Sequence, residues 1–368
     1  MNNKNNQILY CAKSKGPINI ALIKYWGKED ENLITPLNNS ISLTLDMNNF
    51  YTETEIEILL NNDKNIQKDI INLTINDNLS KITPRIIEVI NQFKKLKLEM
   101  QNNFYIFNIR SKNTFPIASG CASSASSMSS LVICLNKALQ TNLSNTNLSR
   151  IARLGSGSAC RSIFGGIVEW EKDGNENSCA HQLYDENYWN LNLMLIIVNQ
   201  KEKEISSSNG MKLSKETSEF LTYRINNIVP KHIKEIKESF KEKNFEKLGK
   251  IIMKDSNNFH SVCRDTFPTI NYLTEESEFI IKIVDEINKY EKKIICAYTF
   301  DAGANAFIIF EKNNKEKIKN FFDRILFNNN IENIKEEWII NLINKKNKEA
   351  KFINKVLFNL GKGPEIID

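Results

Sequence analysis

The sequence predicts an α+β protein with mixed sheets, divided into two domains. Residues 51–59 alternate between glutamates on one face and threonines and isoleucines on the other, which is typical of a strand with one buried face. Beyond residue 210 the pattern changes to long amphipathic helices, and two strand segments follow at 294–300 and 305–310. A chain of 368 residues is too long for one ordinary hydrophobic core, so we expect two domains.

The first half contains short apolar or alternating segments and one helix pattern that begins at Pro84. Proline suits the first turn of a helix, because its missing N–H would have no partner there. A run of small residues before an apolar stretch predicts a loop that leads into a second helix. The predicted strands and apolar segments are 18–23, 40–46, 104–109, 167–170 and 191–198, the first helix is 84–98, and the small-residue loop is 119–130.

The second half is predicted to be mainly helical, and we place the domain boundary near residue 190. We expect a strand at the end of the chain to return to the first domain. The predicted domains are 1–190 and 191–349, the returning strand is about 350–368, and the predicted helices are 210–225, 230–262 with a break, and 272–290.

Composition excludes several classes of function. The net charge of +5 is modest and the lysines are diffuse, so we expect no nucleic-acid partner. Seven scattered cysteines form no Cys-x-x-Cys pair and the three histidines lack ligand spacing, which argues against a disulfide framework and a bound transition metal. The longest apolar run, 191–198, is too short to cross a bilayer, and the first residues lack a signal core. We therefore expect a cytoplasmic protein that does not bind membranes.

The segment 155–162 places two glycines and several small side chains around a single arginine, Arg161. Glycine lets a main chain approach a ligand closely. The guanidinium group matches a carboxylate or phosphate with two hydrogen bonds at once. A helix-like stretch at 148–154 precedes the segment, so we expect Arg161 to be held at a fixed site. A Gly/Ser connector with a surface arginine is the alternative for this motif alone.

The segment 115–127 is rich in serine and alanine and lies between a predicted strand and a predicted helix. A helix N-terminus carries unpaired N–H groups and can hold a phosphate. Serine hydroxyls can add donors or contact Mg²⁺. No Gly-Lys-Ser/Thr sequence is present, so this is not a Walker A loop. A serine-capped helix start is the alternative interpretation.

Asp301 occupies a glycine-containing turn between the two predicted strands of the second half. Aspartate at such a turn is most often a hairpin residue. The alternative is a carboxylate at the rim of a sheet, where it could take a proton from a substrate hydroxyl.

Lys24 and Lys28 flank Tyr25 and Trp26 near the end of a predicted strand. Alone, this pattern is most often an amphipathic surface with the tryptophan packed inward. Together with the preceding motifs it completes a phosphate cradle, cations, one fixed arginine and one carboxylate. Phosphoryl transfer needs these parts, because its catalysis is mainly positioning and charge neutralisation.

Five segments occur in the order known from one protein family, over about residues 10 to 310. They are 19–28, 122–125, 155–161, 253–260 and 298–305. The chain is thereby similar to the mevalonate diphosphate decarboxylases, which belong to the GHMP small-molecule kinase superfamily. The blocks Gly-Ser-Gly-Ser-Ala-Cys-Arg and Thr-Phe-Asp-Ala-Gly carry most of this resemblance.

The resemblance implies a two-lobed GHMP-kinase-like fold with a ribosomal-S5-like N-terminal domain, a ferredoxin-like C-terminal domain and a cleft between them. It implies a cytoplasmic homodimer of isoprenoid biosynthesis. With ATP and Mg²⁺, such an enzyme converts mevalonate diphosphate into isopentenyl diphosphate, ADP, phosphate and carbon dioxide.

The resemblance also assigns roles to individual residues. Asp301 would accept or polarise the proton of the tertiary hydroxyl, Arg161 would hold the substrate carboxylate, and Lys24 would lie near Asp301. Mg²⁺ would bind through the ATP phosphates, with Ser124 as a candidate ligand. The other implied residues are Tyr25, Lys28, Ser156, Ser158 and Ser207 for the substrate, and Ser119, Gly120, Ala122, Ser123, Ser124 and Ser126 for ATP.

Two departures from the family pattern bear on rate and affinity. Glu29 stands where a basic residue is expected after Lys28, and Ala304 stands where a proline is expected after Gly303. Neither removes a proposed reacting group. The alternatives are a decarboxylase or kinase of a related mevalonate monophosphate, and a catalytically silent nucleotide-binding relative. Keeping a proton acceptor, a lysine and an arginine together argues against the silent relative.

Overall fold

Strands and helices are mixed throughout the computed structural model, as the α+β prediction requires. The strands of the described residues form three main sheets and one short hairpin. Among the described residues, no helix is both long and apolar enough to span a membrane. The structure describes residues 7–63, 65–115, 123–198, 204–327, 336–347 and 350–367.

The first half alternates short strands with helices. Its elements are β1 (Ile8–Pro17), β2 (Asn19–Ile23), β3 (Lys28–Asp30), β4 (Thr35–Pro36), β5 (Ser40–Thr44), β6 (Tyr51–Leu60), β7 (Ile70–Ile75), β8 (Asn78–Leu79), α1 (Pro84–Leu96), β9 (Tyr105–Asn113), α2 (Ser123–Ala138), α3 (Asn145–Gly155), α4 (Ala159–Ser162), β10 (Ile167–Trp170) and β11 (Ala180–Tyr184).

The second half begins with a buried strand and continues mainly with helices. Its elements are β12 (Leu191–Ile197), α5 (Ser207–Thr217), α6 (Glu219–Tyr223), α7 (Val229–Glu242), α8 (Phe245–Asp265), α9 (Glu275–Tyr290), β13 (Cys296–Phe300), β14 (Ala306–Glu311), α10 (Lys315–Phe322), α11 (Glu337–Lys345), β15 (Asn354–Asn359) and β16 (Glu365–Ile367).

The sheets explain where the site residues emerge. The first sheet has the strand order β16-β1-β6-β9-β7-β8, and α2 packs against β1 and β6. The predicted alternation of β6 is confirmed, since Thr52, Thr54, Ile56 and Ile58 are buried. The second sheet, β11-β10-β5-β2, ends on the strand that leads into Lys24, and the third, β13-β14-β12-β15, ends on the strand that leads into the Asp301 turn.

One hydrophobic cluster joins the two halves of the chain. It contains Leu22 and Ile23 from β2, Ile252 from α8 and Phe300 from β13, all fully buried. Helix α8 packs against both β2 and β13. Burial of apolar surface therefore holds the two strands that carry Lys24 and Asp301 against one helix.

The start of α2 differs from the sequence prediction. Within the described residues the helix already includes Ser123, whereas a loop was predicted up to residue 130. Serine competes with a helical backbone through its hydroxyl. Here the serine hydroxyls bond to β1 and do not compete with the helical backbone, because Ser126 donates to the Gly16 carbonyl at 2.7 Å and Ser130 to the Ser14 carbonyl at 3.2 Å. The helical state is therefore set by packing against β1.

The end of the chain contributes to two sheets. Strand β15 pairs with β12 in the third sheet, and β16 pairs with β1 in the first. We predicted that the segment of about 350–368 returns to the first domain. Within it, β16 pairs with the first sheet, while β15 pairs with the third. The boundary near residue 190 stays a prediction, with β12 beginning just after it.

Candidate active site

A cavity of about 510 Å³ lies where the predicted motifs converge. Residues from the end of β2, the first turn of α2, the α3–α4 connection, the start of α5 and the turn after β13 surround it. The residues named from the sequence that line it are Lys24, Tyr25, Lys28, Ser123, Ser124, Ser156, Ser158, Arg161, Ser207 and Asp301.

Lys24 and Asp301 form an ion pair at the wall of the cavity. Lys24 Nζ lies 2.7 Å from Asp301 Oδ1, and Lys24 is 2% exposed. The Asp301 turn is closed by the Gly303 N–H, which donates to the Asp301 carbonyl at 2.7 Å. Burial lowers the pKa of Lys24, and the neighbouring Asp301 carboxylate opposes that change. The pair thus combines a buried lysine with a carboxylate whose side chain is 31% exposed.

Arg161 lines the same cavity, and its guanidinium keeps unpaired donors. It lies in α4, is 2% exposed and donates from Nη2 to Asn19 Oδ1 at 3.4 Å. Its Nε and Nη1 have no hydrogen-bond partner among the described residues. Burial lowers the pKa of Arg161, yet an arginine keeps its charge in proteins. A buried cation with unsatisfied donors is suited to a carboxylate or phosphate ligand.

Tyr25 packs tightly against the glycine-rich segment. A Cβ added at Gly157 would lie 2.9 Å from the Tyr25 hydroxyl oxygen, so glycine is needed for this contact. The Tyr25 and Trp170 ring centroids are 4.7 Å apart, and the Tyr25 hydroxyl has no partner among the described residues. Burial raises the pKa of Tyr25, so it is a neutral hydroxyl at physiological pH.

Serine hydroxyls form a further polar part of the cavity wall. Ser156 Oγ donates to Ser124 Oγ at 3.2 Å and lies 3.5 Å from Ser158 Oγ. Ser123 and Ser124 belong to the first turn of α2, where N–H groups have no helical acceptor. Hydroxyls and a helix start of this kind are suited to phosphate oxygens.

Some predicted residues do not reach the cavity. Ser126 is fully buried, and its hydroxyl lies within hydrogen-bond distance of the Gly16 carbonyl and the Thr52 hydroxyl, so the structure gives it packing contacts away from the cavity lining. Ser119, Gly120 and Ala122 lie outside the described residues.

Two lysines belong to ion pairs in and beside the site. Lys28 is buried and its Nζ lies 2.5 Å from Glu31 Oε2. The neighbouring Glu29 is exposed beside Lys172, with 3.6 Å between Oε1 and Nζ, and is not part of the cavity lining.

Arg85 is a cavity residue that sequence reasoning missed. It lies in the first turn of α1, is half-buried, and has no ion pair among the described residues. It adds a positive charge to the side of the cavity that carries Tyr25 and Lys28. An isolated arginine at a helix start gives no local sequence signal, and only the packing of α1 brings it here.

A buried charge cluster behind Lys24 was also missed. Asp255 accepts hydrogen bonds from Arg224 at 3.0 and 2.9 Å, from the Lys24 N–H at 2.8 Å, and contacts His232 Nδ1 at 2.9 Å. Burial alone would raise the pKa of Asp255, but these positive and donor groups lower it to about 2. Asp255 was noted only as part of the 253–260 motif, because charged residues of amphipathic helices usually face solvent.

His260 predicts a pH dependence of stability. Burial, with Lys24 nearby, lowers its pKa from 6.5 to about 3. Between those values the unfolded chain binds a proton that the folded chain does not, so the free energy of unfolding falls as pH drops below 6.5. The limiting slope is about 1.4 kcal/mol per pH unit for one group. His260→Phe should flatten this slope in urea titrations between pH 6.5 and 4.5.

His181 provides the opposite control. Its hydrogen bond to Glu169 raises the pKa of His181 above 6.5. The stabilisation that His181 gives to the folded state is therefore fully present below pH 6.5 and is lost as the pH rises through the raised pKa. Removing it with His181→Gln should therefore leave the slope between pH 6.5 and 4.5 unchanged and abolish a loss of stability above pH 6.5. Equal slopes in His260→Phe and the parent protein would contradict the assignment.

The described residues contain one group of possible metal ligands outside the cavity: Glu169, Glu171 and His181, with ligand atoms within 4.8 Å of one another. However, Lys237 Nζ lies 2.6 Å from Glu169 Oε2. An ammonium group at this distance already neutralises the buried carboxylate. We interpret the group as an ion-pair cluster between β10 and α7.

Known families match most of the chain. The model of the diphosphomevalonate decarboxylase-like N-terminal domain matches residues 16–181, and that of the mevalonate 5-diphosphate decarboxylase C-terminal domain matches residues 193–367. The diphosphomevalonate decarboxylase of Debaryomyces hansenii is 38% identical over 84% of this chain and 82% of its own length. That of Danio rerio is 39% identical over 82% and 76%.

Solved structures agree with these matches. The mevalonate diphosphate decarboxylase from Trypanosoma brucei aligns with a TM-score of 0.84 and 32% identity over 97% of this chain and 98% of its own. A structure described as "MDDEF in complex with MVAPP, AMPPCP and Magnesium" aligns with a TM-score of 0.79 and 34% identity over 98% and 99%. With its fold, both domain models and these identities in agreement, the chain belongs to the mevalonate diphosphate decarboxylase family.

Proposed function

We infer that this protein catalyses the ATP- and Mg²⁺-dependent decarboxylation of mevalonate diphosphate to isopentenyl diphosphate, a step of isoprenoid biosynthesis. The observation that carries the inference is one cavity lined by the Lys24–Asp301 pair, by Arg161 with its unpaired donors, and by the serines of α2. The curated relatives carry the same activity in their names, and a relative has been solved with MVAPP, AMPPCP and magnesium.

The residues present fit a magnesium-bound nucleotide. Ser123 and Ser124 combine hydroxyls with the N–H groups of a 16-residue helix, and these donors would hold ATP phosphates, with Ser124 as a candidate Mg²⁺ ligand. Bound ATP would supply the phosphoryl group that converts the substrate hydroxyl into a phosphate ester, which leaves more readily than hydroxide. Mg²⁺ would neutralise phosphate charge.

Asp301 acts on the tertiary hydroxyl of the substrate. Its Oδ1 is bound to Lys24, while Oδ2 has no hydrogen-bond partner among the described residues. Oδ2 therefore accepts the hydroxyl proton as the oxygen bonds to phosphorus. Lys24 stabilises the carboxylate before transfer and the developing charge during it.

Arg161 acts on the substrate carboxylate. Departure of phosphate breaks the C–O bond and leaves positive charge on the tertiary carbon. The electron pair of the bond to the carboxylate carbon then forms the alkene, and carbon dioxide leaves. Two-point binding by the Arg161 guanidinium would orient the carboxylate so that the breaking bond aligns with the electron-poor centre.

The diphosphate end of the substrate would meet the opposite side of the cavity. Tyr25 supplies a hydroxyl there, and Lys28 and Arg85 supply cationic groups, of which Lys28 is paired with Glu31. Ser156, Ser158 and Ser207 also line the cavity and add further hydroxyls.

Substrate choice tests the function directly. The purified protein should turn over mevalonate diphosphate with a kcat/KM at least about tenfold above that for mevalonate 5-phosphate, because a second phosphate adds charge-assisted hydrogen bonds. The opposite preference would assign the chain to the monophosphate reaction. Mevalonate itself serves as the control that lacks both phosphates.

We also propose, from the family resemblance, a cytoplasmic homodimer. The six cysteines that the structure describes are free thiols, as is usual in a reducing compartment. Light scattering coupled to size-exclusion chromatography tests the dimer, with about 85 kDa expected for two chains of 42.5 kDa.

A further inference from the structure

Two adjacent residues of α8 contact the two sides of the Lys24–Asp301 pair. Asp255 Oδ2 accepts the N–H of Lys24 at 2.8 Å. Ser256 Oγ accepts the N–H of Phe300, the residue before Asp301, at 3.1 Å. The side chains of two neighbouring residues of α8 therefore contact the main chain beside Lys24 and the main chain beside Asp301.

The contact to Lys24 replaces strand pairing. Lys24 follows the last residue of β2 and is buried, so its main-chain N–H and C=O need partners inside the protein. Asp255 binds the N–H, while Arg224 and Asn38 donate to the carbonyl at 3.3 and 3.0 Å. Side chains far apart in sequence thus fix the main chain of Lys24 on both sides.

The contact to Phe300 has the same character. Phe300 ends β13, the edge strand of the third sheet, and both Phe300 and Ser256 are fully buried. Its N–H would otherwise face a hydrophobic cluster without an acceptor. The hydroxyl of Ser256 thereby holds the main chain immediately before the turn that presents Asp301.

Helix α8 is itself anchored at this point. Arg224 donates to both oxygens of Asp255, and His232 contacts Oδ1 at 2.9 Å. Arg224 Nη1 also donates to Asn258 Oδ1 at 2.6 Å, one turn further along the helix. These contacts hold Asp255 and Ser256 in place, so both residues can position Lys24 and Asp301.

We propose that Asp255 and Ser256 are positioning residues that set the 2.7 Å separation of Lys24 Nζ and Asp301 Oδ1 during catalysis. The proposal rests on the function inferred above. Neither residue lines the cavity, so each acts on the reaction through the main chain of its neighbour.

Ser256→Ala is the primary test, because it deletes one acceptor and leaves the buried charges intact. A misplacement of about 1 Å can cost about 10²-fold in rate, so we expect kcat to fall at least about tenfold with KM for both substrates nearly unchanged. Ser256→Thr, which restores the hydroxyl, should recover most of the rate. Ser261→Ala is the matched control: it lies on the exposed face of α8 and donates only to the Asn257 carbonyl.

A crystal structure of the Ser256→Ala protein gives a readout that does not depend on turnover. The proposal expects the Lys24–Asp301 contact to lengthen beyond hydrogen-bond distance. An unchanged contact, or a kcat equal to that of Ser261→Ala, would overturn it. If the parent protein releases no carbon dioxide, the inferred function fails, and the crystallographic distance still decides the positioning role.

Asp255→Asn tests the other side of the pair. It keeps an acceptor for the Lys24 N–H but removes the charge that neutralises Arg224. Thermal unfolding is measured first, and assays are run below the melting transition. Because the Arg224 anchor of α8 is weakened, a fall in kcat at constant KM in the folded fraction supports the proposal, and an unchanged kcat, with or without a change in KM, contradicts it.

Discussion

Replacing Asp301 by asparagine should lower kcat by about 10²- to 10⁴-fold, the usual contribution of a positioned general base. Asparagine has nearly the same shape as aspartate but cannot accept the hydroxyl proton at physiological pH. The substitution also removes the counter-charge of Lys24, whose buried amine then favours its neutral form. Nucleotide affinity should survive, because the serines of α2 are untouched.

The measurement is steady-state ADP release, together with equilibrium binding of a nucleotide analogue. Asp77→Asn is the matched control, since Asp77 is 82% exposed in a turn with a φ of 63°, a conformation that asparagine tolerates. A variant Asp301→Asn with normal turnover would refute the role of this carboxylate. Loss of both turnover and nucleotide binding would point to a structural role instead.

Replacing Arg161 by lysine should lower kcat/KM by about 10- to 100-fold although the charge is kept. The loss of one charge-assisted hydrogen bond costs about 1.5–3 kcal/mol, and a single ammonium cannot reproduce two-point binding by the planar guanidinium. The remaining positive charge still attracts the carboxylate, so the effect should be smaller than that of Asp301→Asn.

The matched control is Arg264→Lys, because Arg264 is 58% exposed and pairs with Glu278 at the surface. Surface pairs of this kind contribute little. We expect that control to behave like the parent protein. A small effect of Arg161→Lys on kcat/KM would instead assign Arg161 to packing against Asn19 and Trp170.

The sequence predicted the family, the fold class and ten of the 21 residues that line the cavity, because those features rest on local motifs. Asp301, Arg161 and Lys24 each lie in a short block with a distinctive composition, and the structure brings all three blocks to one cavity. Strand β6 was predicted for a similar reason, since alternation with period two is visible within ten residues.

Features set by distant contacts could not be predicted. Arg224 and His232 lie in helices whose lysines and glutamates indicate a solvated surface, yet both side chains are buried around Asp255. The early start of α2 depends on acceptors in β1 for its serine hydroxyls. Strand β16 is only three residues long and gains its strand character from pairing with β1.

The most direct test of the central claim is the stoichiometry of a single assay. Purified protein is incubated with ATP, Mg²⁺ and mevalonate diphosphate, and ADP and carbon dioxide are followed together. If Asp301, Lys24 and Arg161 serve one reaction, the two products should appear in equal amounts and at equal rates. ADP without carbon dioxide would contradict the account, because it would describe a kinase in which Arg161 does not orient a departing carboxylate.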